Sequence, residues 1–550
     1  MAANVGNSEP YGHSTDHPHP NILQANEDAA SPLAENRRYL LHDDDLINPF
    51  LPNNAVSSTT VQLIKMILVG AIMLPIRLIV TMIGFFGGWA AAAIYTCVHP
   101  PATAEELEHP FPLKAHFHLK ALRFFSRLCL WGFGYWYVDQ RDLCNYGKRP
   151  DGSLREAPMI VMNHVTIVDA FFLITYHDMM ALGKKSLVDA PFVSSIGAAE
   201  QVIGVDRESP EARKATAEEI CRRVQWPPEK EQQYGRFRPM IIFPEGTCTN
   251  TSCMVEFRLG AFQPGVAVQP IVLRYPYRHY DCSWCDTGGF LWILLGMWCQ
   301  VYNRMEAMYL PVYEPSDEEK KDPVLFARNV RRAMSEASKI PLTDHNYLDM
   351  LALHCADECG LDSHNINIEM GKFKFLGLDR VKACLRRFAG LDSDRDGFLT
   401  LEDFAAYTGL LGEYPTLLRG MFESWTAGSA RGMMSFRQFL VVTTAKVRKV
   451  DGAAPAAEDG SLFLPEASDE ERAAAARVCF ETFFSRSGAP VSVGPFSATM
   501  RRLTPLSELG TAAFDAEMQR MFTAYAEPNG GGMSSATFAQ LEQFLTRVDV

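Results

Sequence analysis

Apolar and polar positions sort the 550 residues into stretches of different character. Residues 1–58 are rich in Asn, Ser, Pro and Asp and show no apolar period, which predicts a disordered leader. From Met66 to Val98 the chain is almost wholly apolar, and its second part, "LIVTMIGFFGGWAAAAIYTCV" (Leu78–Val98), holds no charge. A bilayer core takes about 20 residues, so residues 59–100 are expected to be a membrane segment. Pro75 and Arg77 interrupt the run, and both one tilted span and a hairpin leaving by the face it entered fit the pattern. In His116–Asp139, Lys120, Arg123 and Arg127 recur at helical spacing among aromatic and aliphatic residues. That suits a helix at a lipid interface or an ordinary amphipathic surface helix.

From about residue 134 the pattern alternates between strands and helices. "APMIVMNH", "RPMIIFPEG" and "VAVQPIVLRY" (Val266–Tyr275) are short β-rich runs ending in polar loops. Between them, Ser209–Gln225 reads as a helix with Ser209 as N-cap, Pro210 at its first position and Glu211 in its first turn. The pattern predicts an α/β domain over residues 101–315, with polar motifs just past strand ends, where sites in such folds usually sit. "FLWILLGMWCQVY" (Phe290–Tyr302) is too short to span a bilayer, and past Ser316 the pattern is helical.

Composition narrows the classes. The length predicts two or three units, and 47% hydrophobic with 21% charged residues describes a folded protein with ample core. A net charge of -13 argues against nucleic acid as a partner. The 13 cysteines are scattered and follow no secretory signal, so no disulfide framework is expected. "CSWC" (Cys282–Cys285) lacks a second pair at zinc-ribbon distance.

Chemistry gathers in three loops. "VMNHVTIVDAFF" sets His164 five residues before Asp169 in apolar surroundings. Taken singly, a core histidine and a helix-start carboxylate would explain it. "GVDRES" places Arg207 just before the capped helix, and "FPEGTCTN" follows a strand with Glu245, Gly246 and Thr247. Three such loops in this order, each at a strand or helix end, form a specific signal.

With these motifs the chain resembles the glycerophospholipid acyltransferase superfamily, whose blocks are N-H-x4-D, an arginine block, E-G-T and a proline block, here "VQPIV" (Val268–Val272). Through "FPEGTCTN", "FRLGAFQPG" and "YRHYDCSW" it is most similar to the lysophosphatidylcholine and plant-type lysophosphatidylethanolamine acyltransferases that carry EF-hands, over roughly residues 60–450. The resemblance implies a membrane-bound acyl-CoA:lysophospholipid O-acyltransferase of phospholipid remodelling, with His164 and Asp169 catalytic. It also implies substrate contacts from Asn163, Arg207, Glu245, Gly246 and Thr247, no catalytic cofactor, and acyl-CoA, lysophospholipid and the membrane as partners. Its location would be the endoplasmic reticulum or Golgi membrane, with the site on the cytosolic side; no oligomeric state is implied.

The physical chemistry agrees with those roles. Transfer from a thioester to an alcohol needs a base, and a neutral imidazole suits that near pH 7. Asp169 would hold one tautomer and stabilise the imidazolium, as in a triad whose serine is replaced by the substrate's hydroxyl. The spacing permits this with His164 in a turn and Asp169 in the first helical turn behind it. Arg207 offers a planar fork for the acceptor's phosphate, and Gly246 and Thr247 offer backbone amides to an oxyanion or phosphate. Cys248 stands where many relatives carry arginine, which favours a lysophospholipid with a headgroup as acceptor. Acylation of glycerol phosphate or lysophosphatidate is the enzymatic alternative. A calcium-responsive scaffold with an idle site is the other class, and the intact set His164, Asp169, Arg207 and Glu245 argues against it.

Further on, "DSDRDGFLTLEDF" (Asp392–Phe404) matches an EF-hand loop. Asp392, Asp394 and Asp396 fall at positions 1, 3 and 5, Gly397 at 6, the Phe398 carbonyl at 7, Thr400 at 9 and Asp403 at 12. Aspartate in place of the usual twelfth glutamate is shorter, which lowers calcium affinity or favours magnesium. "ARGMMSFRQF" keeps the apolar frame without the carboxylates, and "FSRSGAPVSVGPF" and "YAEPNGGGMSSATF" repeat it with Val491 and Met533 at corresponding places. The expected order is a helical linker (316–370), a first EF-hand pair (371–448), a linker (449–470) and a degenerate second pair (471–550). The fold class is therefore an α/β acyltransferase domain with an N-terminal membrane-embedded helical segment and an all-α EF-hand module.

Overall fold

The apolar run folds as one continuous helix, α1 (Thr60–Val98), which passes through Pro75 and Arg77 without a break. The structure, a computed structural model, describes residues 47–52, 60–98, 109–110, 116–142, 157–408 apart from 178, 206–208, 277–279, 286–288 and 375, then 422, 426, 431–444, 491–492 and 535–536. Of the two topologies the sequence allowed, the hairpin is absent. Pro75 removes a single helical hydrogen bond, and Arg77 is met by burial rather than by a turn. Its guanidinium donates to the carbonyl oxygens of Met297 (3.1 Å), Trp298 (3.4 Å) and Val301 (2.5 Å). At 1.5 Å per residue the 39-residue helix is about 58 Å long, nearly twice a hydrocarbon core of about 30 Å.

One stripe of α1 is docked. Gly70, Arg77, Thr81, Gly84, Gly88 and Ala92 are buried along it. They face α2 (His116–Gly132) and the later segment around Trp298. A Cβ on Gly84 would meet the Cys129 nitrogen and the Phe125 oxygen at 2.9 Å each, so the two backbones approach as only glycine allows. The opposite stripe is apolar and exposed: Leu68, Ile72, Ile76, Ile79, Ile83 and Ile94.

The middle of the chain forms a seven-stranded sheet. Its first half comprises β1 (Val138–Asp142), β2 (Met159–Met162), α3 (Val168–Tyr176), β3 (Met180–Lys184), α4 (Val193–Ala199), β4 (Ile203–Val205) and α5 (Pro210–Val224). Then come β5 (Met240–Ile242), β6 (Val268–Arg274), α6 (Phe290–Trp298), β7 (Met305–Tyr309) and α7 (Pro323–Ser338). The strand order is β1-β7-β6-β2-β5-β3-β4, parallel throughout except for the β6–β7 pair. All four β2 positions are buried, as expected for a central parallel strand. Successive residues face opposite layers. Ile160 and Met162 pack with Phe172 of α3 and Met297 of α6. Met159 and Val161 join the cluster of Val224 from α5 and Phe326 and Val330 from α7. The Ser209 hydroxyl accepts from the Ala212 amide, the cap read from the sequence.

Helices follow. α8 (Tyr347–Glu358) starts with a capping box between Asn346 and Asp349. α9 (Gly377–Leu391), β8 (Phe398–Leu399) and α10 (Leu401–Thr408) make a helix–loop–helix unit. β8 pairs antiparallel with β9 (Met434–Ser435), which leads into α11 (Phe436–Thr444). Phe388 packs edge-on to Phe436 and Phe439 at 5.3 and 5.4 Å. Buried Glu369 bonds Arg437 at 2.7 Å and Lys372 at 3.0 Å. Burial opposes its ionisation, yet the two cations hold its carboxyl down at about 2.

Two expectations meet a different outcome or fall away. Asn48–Leu51 lie in the stretch expected to be disordered but are packed, with Phe50 3% exposed in the C-terminal core. Four residues are too few to show a period. Of the expected second pair, only Val491–Ser492 and Ser535–Ala536 are described, paired antiparallel. Val491 lies opposite Ala536 and Ser492 opposite Ser535. The linker 449–470 and the rest of 471–550 lie outside the described residues.

Gly84→Ala raises helix propensity yet should destabilise the protein by about 1–3 kcal/mol through overpacking. Thermal melting in detergent measures it; a higher Tm would mean that α1 does not dock as described.

Candidate active site

The site forms at the carboxyl end of β2, where the strand gives way to the turn Asn163–Ile167 before α3. His164 Nδ1 lies 2.7 Å from Asp169 Oδ2, and the same oxygen accepts from the Val165 amide (2.7 Å) and the Thr166 amide (3.1 Å). The Tyr275 hydroxyl donates to the other carboxylate oxygen. Asp169 is fully buried, and four donors meet it. A carboxylate accepts only, so Nδ1 carries the ring proton and Nε2 presents a lone pair. The ring stacks on Phe243 (centroids 4.1 Å apart, planes at 20°), and the side chain is 26% exposed.

The backbone of His164 is fixed as well. Its N–H donates to Glu245 Oε2 at 3.0 Å, and its carbonyl accepts from the Thr249 amide at 2.8 Å. Glu245 is buried, at 1% exposure. Burial pushes its carboxyl up to about 8, against hydrogen bonds from the His164 and Val255 amides. Gly246 adopts φ 73°, and a Cβ there would meet Arg258 Cδ at 2.6 Å. Its amide closes the turn onto Phe243 O at 3.1 Å, and half-buried Thr247 follows.

The residues read from the sequence are thus distributed as follows. His164 in the turn after β2 and Asp169 in the first turn of α3 face the loop of Glu245, Gly246 and Thr247, and His164 bonds both Asp169 and Glu245. Asn163 sits beside them, with its amide group spent on Leu273, donating to the carbonyl (2.9 Å) and accepting from the N–H (2.7 Å). Arg207 lies outside the described residues. Tyr275 and Phe243 were not singled out in the sequence, although both stand in the quoted β-rich runs, one residue past β6 and β5 respectively. Cys282 and Cys285 are buried; Cys282 Sγ accepts from the Tyr135 hydroxyl and Cys285 Sγ donates to Pro49 O.

A histidine backed by a buried carboxylate at a strand end is shared by many hydrolases and transferases, and likeness to known proteins decides among them. Residues 149–274 match the family model described as Acyltransferase. Lysophosphatidylcholine acyltransferase 2 from Mus musculus is 32% identical over 403 residues, 72% of this chain and 70% of that protein. The chain belongs to the lysophospholipid acyltransferases. Lysophospholipid acyltransferase LPEAT2 from Arabidopsis thaliana is 31% identical over 72% of this chain and 69% of its own length. Among solved structures, this acyltransferase matches the crystal structure of the 1-acyl-sn-glycerophosphate (LPA) acyltransferase, PlsC, from Thermotoga maritima. That match has a TM-score of 0.29 and 14% identity over 48% of this chain and 95% of the other.

In this acyltransferase a second cluster lies between α9 and α10. Asp392, Asp394 and Asp396 bring carboxylate oxygens within 4.8 Å of one another. Burial and the neighbouring carboxylates push Asp392 up to about 6. Gly397 has φ 86°, and its amide donates to Asp392 Oδ2 at 2.8 Å. The next residue, Phe398, enters β8. Three crowded carboxylates around a tight turn form a donor set that fits a hard divalent cation. Asp403 Oδ2 accepts from the Thr400 amide (3.0 Å) and hydroxyl (2.6 Å), and its carboxylate also bonds Ser393 within the acidic loop.

The raised Glu245 value carries a sign. The unfolded chain loses this proton near 4.5 and the folded protein near 8, so the folded state binds more protons between those values. Stability falls as pH rises across that window. In Glu245→Gln the fall of Tm with pH should flatten, leaving the shares owed to Asp349, which burial also raises to about 8, and, below about 6, to Asp392. An unchanged slope would show Glu245 to be ionised throughout.

Proposed function

We propose that the chain is a membrane-bound acyl-CoA:lysophospholipid O-acyltransferase, with lysophosphatidylcholine or lysophosphatidylethanolamine as acceptor, working by direct transfer. The observation that carries this reading is the His164–Asp169 pair, with Nδ1 tied to a buried carboxylate and Nε2 turned away from it. Nε2 takes the proton of the acceptor hydroxyl as its oxygen attacks the thioester carbonyl. The tetrahedral intermediate collapses by breaking the carbon–sulfur bond, and the imidazolium returns the proton to the departing coenzyme A thiolate. Asp169 stabilises the imidazolium, and Tyr275 supports Asp169. Burial beside that carboxylate keeps the Tyr275 phenol well above its usual range, so it remains a donor. No acyl-enzyme is required, and Phe243 stacked on the ring, with buried Val165 next to it in the chain, shields the histidine from water, the competing nucleophile.

The exposed stripe of α1 supports membrane attachment. Its neighbours Phe124, Trp131, Trp136, Tyr137, Leu291 and Trp292 are also exposed, as an interfacial surface requires. A helix docked along its length by Arg77 and the glycine stripe lies on the membrane with its domain, which keeps the site and the acidic loop on one side. We assign that side to the cytosol, at the endoplasmic reticulum or Golgi. The unit from α9 to α11 is read as an EF-hand pair, with Asp392, Asp394, Asp396, the Phe398 carbonyl and Asp403 available to hold calcium; that ion would supply structural charge, not chemistry.

In membranes given labelled acyl-CoA and a panel of lysolipids, His164→Ala should lower turnover by about 100-fold or more, with membrane recovery unchanged. Full activity in that variant sinks the mechanism, and acylation of lysophosphatidate alone would replace the acceptor. Calorimetry with calcium should detect one site that Asp392→Ala removes; no heat in the parent protein would leave the loop without an ion.

A further inference from the structure

The packed segment Asn48–Leu51 joins the active-site loops to the C-terminal helices. Asn250, 5% exposed, takes up three of its carbonyl groups. The Asn250 amide donates to Pro49 O at 2.8 Å, and Nδ2 donates to Asn48 O (2.8 Å) and Leu51 O (2.7 Å). Cys285 Sγ also donates to Pro49 O, at 3.7 Å. These two residues each follow one that holds the histidine turn. Thr249 donates its amide to His164 O, and Trp284 donates its amide to Val165 O at 2.7 Å. Two otherwise separate loops, one on each carbonyl of the turn, therefore converge on Pro49.

The other side of the segment is anchored elsewhere. Asn48 Nδ2 donates to Ile366 O at 3.1 Å, and Asn48 Oδ1 accepts from the Phe50 amide at 3.0 Å. The Phe50 ring enters the core that contains Val255, Phe373 and Phe388, edge-on to His345 at 6.0 Å. Without the segment, the Asn250 N–H and Nδ2 would lose the three carbonyl groups they meet here, a loss costly enough to move the loop.

We infer that residues 48–51 are a positioning strap for the catalytic histidine, setting the His164–Val165 turn by fixing the Thr249–Asn250 and Trp284–Cys285 loops against the C-terminal core. The inference rests on the acyl-transfer reading above. The strap touches no reacting atom; it acts through the two loops, so its loss should slow the chemical step more than it weakens substrate binding.

The test uses the full chain in membranes, with parent protein and His164→Ala measured alongside. Asn250→Asp keeps the acceptor for Ser252 and the backbone N–H to Pro49 but removes both side-chain donations to the strap, and Phe50→Ala removes the anchor at the far end. Each should lower kcat by about tenfold, with KM for acyl-CoA and lysolipid changed less than about twofold. Phe50→Leu should recover most of the rate, and the double variant should be no slower than the slower single, since both release one strap. Hydrogen exchange at residues 164–169 should rise in both singles. Unchanged kcat and exchange, or a double variant whose losses multiply, overturns the strap. If Asn250→Asp does not fold, Asn48→Ala, which frees the Ile366 contact, must show the same kcat loss or the strap is overturned. An inactive parent with faster exchange in the variants would overturn the acyl-transfer reading and leave the strap standing.

Discussion

Asp169 has no contact with solvent, and burying a carboxylate this way is costly unless its lone pairs are met. They are met by the His164 ring, two amides of the turn it closes, and the Tyr275 hydroxyl. Three of these donors come from the turn between β2 and α3, and the fourth from just past the end of β6. That convergence ties the local turn to the sheet. It exists only because β6 is the hydrogen-bonded neighbour of β2, with Met162 beside Ile271. Asn163 reinforces the same junction by bonding both backbone groups of Leu273. A one-residue slip between the strands would turn these residues to opposite faces and leave the carboxylate short of a donor.

What could be read from the sequence, and what could not, follows the range of the interactions. His164 and Asp169 are five residues apart, and the turn that unites them is local, so their pairing was legible. So were the Ser209 cap and the strand runs around Met159 and Val268, which depend on neighbouring residues. Tyr275 sits more than 100 residues from its partner, and only the strand order brings it there. Glu245 was read as a substrate contact from its motif. Its burial and its bond to the His164 amide depend on the pairing of β5 with β2, which the motif does not reveal. Pro75 and Arg77 are ordinary breakers when read locally, and the carbonyls that absorb the arginine are remote.

The C-terminal helices are not merely appended. Their core takes in Val255, which follows the active-site loop, and Phe50 from before α1. Asn365 Nδ2 bonds Asp396 O at 2.7 Å, one residue from the carbonyl that Asn48 reaches. The acidic loop and the histidine turn are therefore connected by a short run of packed, hydrogen-bonded groups. Glu369 and Arg437 close the same body from the other side.

Arg77 bears on how the protein is made. Its carbonyl partners lie 220 to 224 residues later. At roughly 5–20 residues per second, they leave the ribosome about 10–40 s after it does. Throughout that interval α1 is apolar enough to seek a bilayer, yet it carries a charge with nothing to answer it. The helix gains its final seat only when residues 297–301 have been synthesised and folded against it. Seating of α1 and folding of the domain are for that reason completed together and late, and a chain that stops before Met297 leaves the helix without a place to dock.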